Sequence, residues 1–319
     1  MAHEIENEMI AYSNDTPWHG IGTRLDVGST PAEFLTAAKL DWTVDPYPLT
    51  ALVDGESVAI DERMAFIRSS DHKVMTFASP AWQPLQNADC LEFMRRYCEA
   101  GGAVMETAGA LRDGKIVWGL ARLNHSFDVR PGDKVNGYIL ITSPHIVGSA
   151  IKVQTTTVRV VCANTMAMAE LGSTVEYKQN HMSEFDVGAA KAAIEAAHDC
   201  LAKAEQRAKT IDRLKLSLED TVKRVLVPVF SPALALDGQF MAAPLDIGEL
   251  DARLQGIIDS MQNAPGAIEG TGWGALNGVT HYCDHVAGRS PATRMMRSWL
   301  GDHGRNKLEV ERRLIEMAG

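Results

Sequence analysis

Short alternating runs of hydrophobic and polar residues fill the first half of the chain, whereas the second half repeats apolar residues at helical spacing. Between residues 41 and 80, Asp-Gly and Ser-Asp pairs typical of turns separate the strand-like runs DWTVDPYPLTALV, SVAID, RMAFIRS and KVMTFAS. Further strands are predicted in VMETAGALRDGKIVWGLARL, NGYILITS and SAIKVQTTTVRVV, with a tight hairpin turn at Asp113–Gly114.

Capping residues predict where the helices begin. Thr30, Pro31 and Glu33 form a capping box ahead of PAEFLTAAKL, and Asn87 is a candidate cap for a helix that stops at Gly101–Gly102. The pattern also predicts a helix at CANTMAMAEL. Capping pairs at Ser183–Asp186 and Ser217–Asp220 then begin the helical second half.

These patterns predict an α+β protein. Its strand-rich antiparallel core contains a β-hairpin and a packed helix, and an extended helical C-terminal part follows. We expect three regions: an N-terminal arm at 1–40, the α+β core at 41–175 and a helical C-terminal region at 183–319.

The net charge of the chain limits the classes of function that it can have. The 319 residues carry a net charge of −10, which argues against a general polyanion-binding protein. Residues 105–165 are the exception, with seven Lys and Arg against four Asp and Glu. Five dispersed cysteines, an acidic N-terminus and no long apolar run predict a protein of a reducing cytoplasm, without disulfides or a membrane span.

The strand IKVQTTTVRVV is the first candidate site. Thr155, Thr157 and Arg159 fall on one face by alternation, and Lys152, Gln154 and Thr156 fall on the other. Hydroxyls and amides beside cations suit the oxygen atoms of phosphate groups. The alternative is an ordinary solvated strand, because threonine is a good strand former.

The hairpin LRDGKIVWGLARL is the second candidate. It carries Arg112, Lys115, Trp118 and Arg122, and cations interleaved with an aromatic ring suit a groove for single-stranded nucleic acid. The alternative for Trp118 is a place in the core.

The sequence indicates a metal site, a nucleophile or a pocket more weakly. His281 and His285 are four residues apart on a predicted helix and could face one metal ion. Cys162, with His145 upstream, has the ingredients of a nucleophile, although a lone cysteine among valines is more often buried. Trp18 and His19 could line a pocket or anchor the N-terminal arm. No phosphate-binding loop, dinucleotide fingerprint or nucleophile elbow is present in the sequence.

Five runs carry a family resemblance: TPWHGIGT, AAKLDWTVDPYPL, METAGALRDGKIVWGLARL, QTTTVRVVCANTMAMA and GTGWGALNGVTHYCDH. Together they resemble the phage- and plasmid-borne proteins that contain the domain of unknown function 932. The resemblance implies a mobile-element origin and a bacterial cytoplasmic setting. The order of the predicted elements is also similar to the RecT/Redβ/Erf superfamily of phage single-strand annealing proteins, without a shared residue motif.

The leading hypothesis is a phage recombination protein that binds and anneals single-stranded DNA as a homo-oligomeric ring or filament. It needs no nucleotide hydrolysis, cofactor, metal or membrane, and a phage exonuclease is a candidate partner. Its expected DNA contacts are Arg112, Lys115, Trp118, Arg122, Lys152, Thr155, Thr157 and Arg159. One alternative is an enzyme that uses Cys162 with His145, or His281 with His285. Another is a structural or partner-binding phage protein.

Overall fold

The strands and helices follow the predicted division into a strand-rich and a helical part. The computed structural model describes residues 9–13, 22–98, 103–159, 164–167, 177–181, 184, 186–189, 192, 197–290, 293–294, 297–298 and 301–319. The strands are β1 Ile10–Ser13, β2 Thr23–Leu25, β3 Val44–Val53, β4 Glu56–Arg68, β5 Val74–Ala78, β6 Ala103–Leu111, β7 Ile116–Asp128, β8 Lys134–Pro144, β9 Ile151–Arg159, β10 Asn164–Ala167 and β11 Tyr177–Gln179. The longer helices are α1 Pro31–Ala37, α2 Asn87–Tyr97, α3 Ala197–Arg213, α4 Ala252–Asn263, α5 Gly272–His281 and α6 Asp302–Ala318.

Shorter helical pieces complete the second half: Leu218–Asp220, Val227–Phe230, Pro232–Ala235, Gly238–Ala242, the 3₁₀ turn Ile247–Glu249 and the π-helical segments Thr221–Leu226 and Tyr282–Val286. The fold is mixed α+β with a helical C-terminal region, as the sequence predicts.

The strands form two sheets. In the larger one the order is β10-β9-β8-β7-β6-β1-β2, and β11 also pairs with β9. Except for the parallel β1–β2 contact, the pairs whose register is known are antiparallel. The smaller sheet is the antiparallel series β3-β4-β5.

The β3–β4 hairpin turns at Asp54 and Gly55, whose φ angles of 51° and 90° are typical of a two-residue hairpin turn. The two runs SVAID and RMAFIRS join into the single strand β4. Pro48 is opposite Met64 and Leu49 is opposite Ile60, so residues 61–63 have no counterpart in β3. This β-bulge gives the long hairpin an irregularity in the middle of one strand.

One predicted helix is wrong in its described part. Residues 164–167 form β10, antiparallel to β9, with Asn164 opposite Arg159 and Ala167 opposite Thr156. The helical spacing of CANTMAMAEL is local, whereas backbone pairing with a neighbouring strand is a tertiary effect that overrides propensity.

The predicted caps have mixed outcomes. The capping box of α1 is confirmed, since the Thr30 hydroxyl accepts from the Glu33 amide and the Glu33 carboxylate accepts from the Thr30 amide. The Ser217–Asp220 cap is also confirmed. The prediction for Asn87 is wrong: Gln86 occupies the cap position, and the buried Asn87 side chain binds elsewhere. The prediction for Ser183 lies outside the described residues.

Contacts divide the chain into two compact units. The first contains Met1–Asn124, Tyr138–Thr155 and Val175–Ala197. Its core includes Phe34, Trp42, Phe66, Leu91 and Val117, contributed by both helices and both sheets of that unit. The three predicted contiguous regions stay a prediction.

The second unit contains His125–Gly137, Thr156–Thr174 and His198–Gly319. Trp273 is fully buried there, and its indole N–H donates to Asp133 over 2.8 Å. A buried ion pair joins Asp284, in a π-helical segment, to Lys307 of α6. Within the described ranges, no helix combines the length and apolar character that a membrane crossing requires.

Candidate nucleic-acid interface

Trp118 is not available to a base. It lies on β7 opposite Gly109 of β6 and is 0% exposed, and the adjacent Val117 is also 0% exposed. Since successive side chains of a strand point to opposite faces, β7 is buried on both faces at this point. The expected stacking role of Trp118 is therefore corrected: the ring is part of the packing.

Two more of the expected DNA contacts are not free to bind a phosphate: Arg122 is ion-paired and Thr157 is buried. The Arg122 guanidinium is 2.5 Å from the carboxylate of Glu106, whose side chain is only 14% exposed, so this cation is already neutralised. Thr157 is 2% exposed, and Thr155, on the same face of β9, is half-buried. The Arg159 side chain lies outside the described residues. The described side chains of Arg122, Thr155 and Thr157 do not form an open groove.

The tip of the β6–β7 hairpin carries two of the predicted cations. Leu111 pairs with Ile116, so the loop has four residues, Arg112–Lys115, instead of the predicted two. Arg112 and Asp113 adopt φ angles of 52° and 55°. Arg112 is exposed and Lys115 is half-buried.

Asp113 fixes this hairpin tip to the β4–β5 turn. The Asp113 carbonyl accepts a hydrogen bond of 2.9 Å from Arg68, and its carboxylate accepts from Lys73 and Arg68. Arg68 is itself held by Asp71 and lies 5.4 Å from the centre of the Trp42 ring. The position of the tip is therefore set by buried and half-buried contacts.

Lys152 has a second cation directly across from it. In the antiparallel β9–β11 pair, Lys152 is opposite Lys178, with Val153 opposite Tyr177 and Ile151 opposite Gln179. Directly opposite residues have Cα atoms about 4.5–5.5 Å apart and side chains on the same face. Lys178 is exposed. Sequence reasoning missed Lys178, because only the pairing of strands about 25 residues apart brings it to Lys152.

The hairpin tip and the lysine pair lie at the same end of the sheet. β7 begins just after Lys115, β8 ends at Pro144, and β9 begins at Ile151. The His145 amide donates to the Lys115 carbonyl over 2.8 Å, which ties the end of β8 to the tip. We call this region, with Arg112, Lys115, Lys152 and Lys178, the basic sheet end.

The model of the Domain of unknown function (DUF932) family matches residues 74–307, which include all four residues of the basic sheet end. The chain belongs to the DUF932 family. No curated protein and no solved structure matches it.

The DUF932 chain encloses His145 instead of presenting it to a substrate. His145 is 0% exposed, its Nε2 atom is 2.8 Å from Asn87 Oδ1, and its ring meets the Trp42 ring edge-on at 5.4 Å. Burial, together with the nearby charges of His181 and Arg68, lowers the pKa of His145 to about 3. Cys162 lies outside the described residues, as do Trp18 and His19.

This burial makes the stability of the DUF932 chain depend on pH. The pKa of an unfolded histidine is about 6.5, so between pH 6.5 and 3 the unfolded chain binds an extra proton at this site. The free energy of unfolding should therefore fall by about 1.4 kcal/mol per pH unit as the pH drops through that window. His145→Gln should remove this contribution, as measured by urea unfolding at pH 6.5 and 5.

The control for this measurement is His72→Asn, at an exposed turn position with a φ of 58° that asparagine tolerates. The control should keep the full pH dependence. Equal pH dependence in wild type and His145→Gln would contradict the assignment.

The second enzyme candidate, His281 with His285, has no third metal ligand grouped with it among the described residues. The rings of His281 and His285 are 4.9 Å apart, and His281 Nδ1 is 3.2 Å from the Ser260 hydroxyl. Within the described part of the chain, no three His, Cys, Asp or Glu side chains are grouped to hold a metal ion. Burial raises the pKa of Cys283, between these histidines, to about 12, so its thiol stays protonated.

A cavity of about 330 Å³ lies beside α2. Its polar lining contains Asp89, Glu92 and Glu184 against Arg96. Glu92 is ion-paired to both Arg95 and Arg96. Carboxylates repel phosphate, so this cavity is a poor place for a nucleic-acid backbone.

Proposed function

We propose that this chain binds single-stranded DNA through the basic sheet end and anneals complementary strands as a homo-oligomer, without nucleotide hydrolysis. The observation that carries the proposal is the position of Lys152 directly opposite Lys178. Directly opposite residues of an antiparallel pair have their side chains on the same face, so the two lysines can contact one phosphate backbone together.

The neighbouring cations support a polymeric anion over a single phosphate. Arg112 and Lys115 lie at the same end of the sheet, two strands away from Lys152 in the order β9-β8-β7. Neighbouring strands are about 4.8 Å apart, so the cations extend over about 10 Å. That distance exceeds one phosphate group and suits successive phosphates of a strand. Backbone contacts of this kind do not read sequence, as annealing requires.

The net charge of −10 is compatible with this site, because a basic surface can coexist with acidic surfaces elsewhere on an oligomer. A phage or plasmid origin, with a ring or filament as the assembled form and an exonuclease as partner, belongs to the same proposal.

The test is a fluorescence-anisotropy titration of a labelled single-stranded oligonucleotide at several salt concentrations. Each phosphate contact adds about 0.7 to the dependence of log K on log salt for single strands. The double variant Lys152→Ala/Lys178→Ala should therefore reduce that slope by about 1.4 and weaken binding about 25-fold at 0.1 M salt.

The matched control is Lys134→Ala, which removes an exposed lysine from the opposite end of β8. It should leave the slope and the affinity unchanged. Salt-independent binding, or equal losses in the control and the double variant, would overturn the proposed interface. An annealing assay with two complementary labelled strands and no nucleotide then tests the reaction itself.

A further inference from the structure

Lys178 of the basic sheet end lies on a very short strand. β11 has three residues, Tyr177–Gln179, and it pairs with β9. A pairing of this length supplies few hydrogen bonds, and segments with few contacts open most readily. The position of Lys178 therefore depends on what else holds this segment.

His181, two residues after β11, binds the backbone of Gln83 twice. The Gln83 amide donates to the His181 carbonyl over 2.6 Å. The Nδ1 atom of the His181 ring is 3.1 Å from the Gln83 carbonyl oxygen. One residue thus binds both the N–H and the C=O of Gln83, and we call this pair of hydrogen bonds the His181–Gln83 contact.

The ring of His181 acts as a donor in this contact. A carbonyl oxygen can only accept a hydrogen bond, so the Nδ1 atom carries the proton. Burial lowers the pKa of His181, and backbone contacts with Gln83 and Pro144 oppose that shift in part. The ring is therefore neutral at pH 7, and a substitute for His181 must keep a donor at the position of Nδ1.

The His181–Gln83 contact attaches β11 to a well-fixed part of the first unit. The His181 side chain is buried, and its ring centre is 4.8 Å from that of Trp82. Leu85, two residues after Gln83, accepts a hydrogen bond of 3.0 Å from the hydroxyl of the buried Ser143 on β8. Through this contact, β11 is held to a segment that is itself bonded to the larger sheet.

Gln179 makes further hydrogen bonds, but they are local. Its amide group donates to the Glu184 carbonyl over 2.6 Å, and its oxygen accepts from the Asp186 amide over 2.9 Å. These bonds shape the turn after β11. The His181–Gln83 contact spans 98 residues, so it joins this turn to a distant part of the chain.

We propose that His181 is a positioning residue for DNA binding, which holds β11 in place so that Lys178 stays opposite Lys152. The proposal rests on the proposed function, because Lys178 binds DNA only if the basic sheet end is the interface. A cation that is already held in place loses less conformational freedom on binding. Since His181 is 2% exposed, it acts through Lys178 and not by touching DNA.

Hydrogen exchange of the full chain, followed by mass spectrometry, tests the His181–Gln83 contact without DNA. His181→Leu removes the donor and keeps a side chain of similar bulk, whereas His181→Asn keeps an amide N–H near the position of Nδ1. Peptides that contain β11 should exchange about tenfold faster in His181→Leu, as expected when a buried group loses its hydrogen bond. His181→Asn should restore slow exchange.

The salt dependence of DNA binding tests the effect on Lys178. One lysine accounts for about 0.7 of the slope of log K against log salt, so His181→Leu should lower the slope by about that amount and weaken binding about fivefold at 0.1 M salt. His181→Asn should bind like wild type. In a Lys178→Ala background, His181→Leu should cause no further loss, because the cation that it positions is gone.

The matched control is His303→Leu. His303 is also buried, at 4% exposure, and its Nδ1 atom is 3.1 Å from the Cys283 carbonyl oxygen in the second unit. The same change of a carbonyl-bound histidine should leave both the exchange of β11 and the salt slope as in wild type.

Three results would overturn the proposal: slow exchange of β11 in His181→Leu, an equal loss of slope with and without Lys178, or equal effects of His303→Leu. A wild-type chain that does not bind DNA overturns the proposed function, and with it the role of His181 in DNA binding. Fast exchange in His181→Leu would still establish that His181 holds β11, so the two failures are distinguishable.

Discussion

Replacing Lys307 by methionine should lower the free energy of unfolding by about 3–5 kcal/mol. The Lys307 ammonium donates to the Asp284 carboxylate, and the two side chains are 3% and 0% exposed. The Ser298 hydroxyl donates to the same carboxylate oxygen over 2.6 Å. Methionine fills much of the lysine volume and removes the charge, which leaves a buried carboxylate without its cation. Urea unfolding at pH 7 measures the loss.

Two further variants separate charge from packing. Lys209→Met breaks a half-exposed ion pair with Glu205, and we expect a loss of about 0.5 kcal/mol or less. The double variant Asp284→Leu/Lys307→Met removes both buried charges and should recover much of the stability lost in the single variant. A loss of similar size in Lys307→Met and Lys209→Met would contradict the account.

Asn87→Ala should cost about 3 kcal/mol, because Asn87 joins three separate segments. Its amide group donates to the carbonyls of Leu40 and Trp42 over 2.9 and 3.1 Å, and its oxygen meets His145 Nε2. Asn87 is 1% exposed, so water does not easily replace the lost partners. Chemical denaturation should show the loss with an unchanged m-value.

The control for Asn87 is Asn263→Ala, at an exposed asparagine whose amide donates to Asp259 within the same helix. Its expected cost is about 0.5 kcal/mol or less. If Asn87→Ala costs no more than this, the buried hydrogen bonds do not stabilise the fold as proposed.

Local patterns predicted the parts of the structure that depend on neighbouring residues. The capping box at Thr30 and Glu33 needs only four residues, and the turn at Asp54–Gly55 needs two. The α+β class follows from the change in hydrophobic period along the chain. These predictions are correct because the geometry of neighbouring residues determines such features.

Structural features that depend on tertiary contacts were not predicted. Asn87 looks like a cap because asparagine often is one, yet its partners are 45, 47 and 58 residues away. Trp118 is buried because both faces of β7 are covered, which alternation alone cannot show. The Lys152–Lys178 pair needs the β9–β11 register. The sequence therefore named Arg112, Lys115 and Lys152 of the candidate site and missed Lys178.

The β-bulge at residues 61–63 has a consequence for solubility. It consists of Asp61, Glu62 and Arg63 and lies beside Met64, where the pairing of β4 with β5 ends. Beyond this point, among the described strands, residues 56–60 of β4 have β3 as their neighbour, so a strand edge is open. Charged residues and bulges at such edges oppose the addition of further strands. The hairpin can thus keep its apolar side chains exposed while the edge of β4 resists amyloid-like polymerisation.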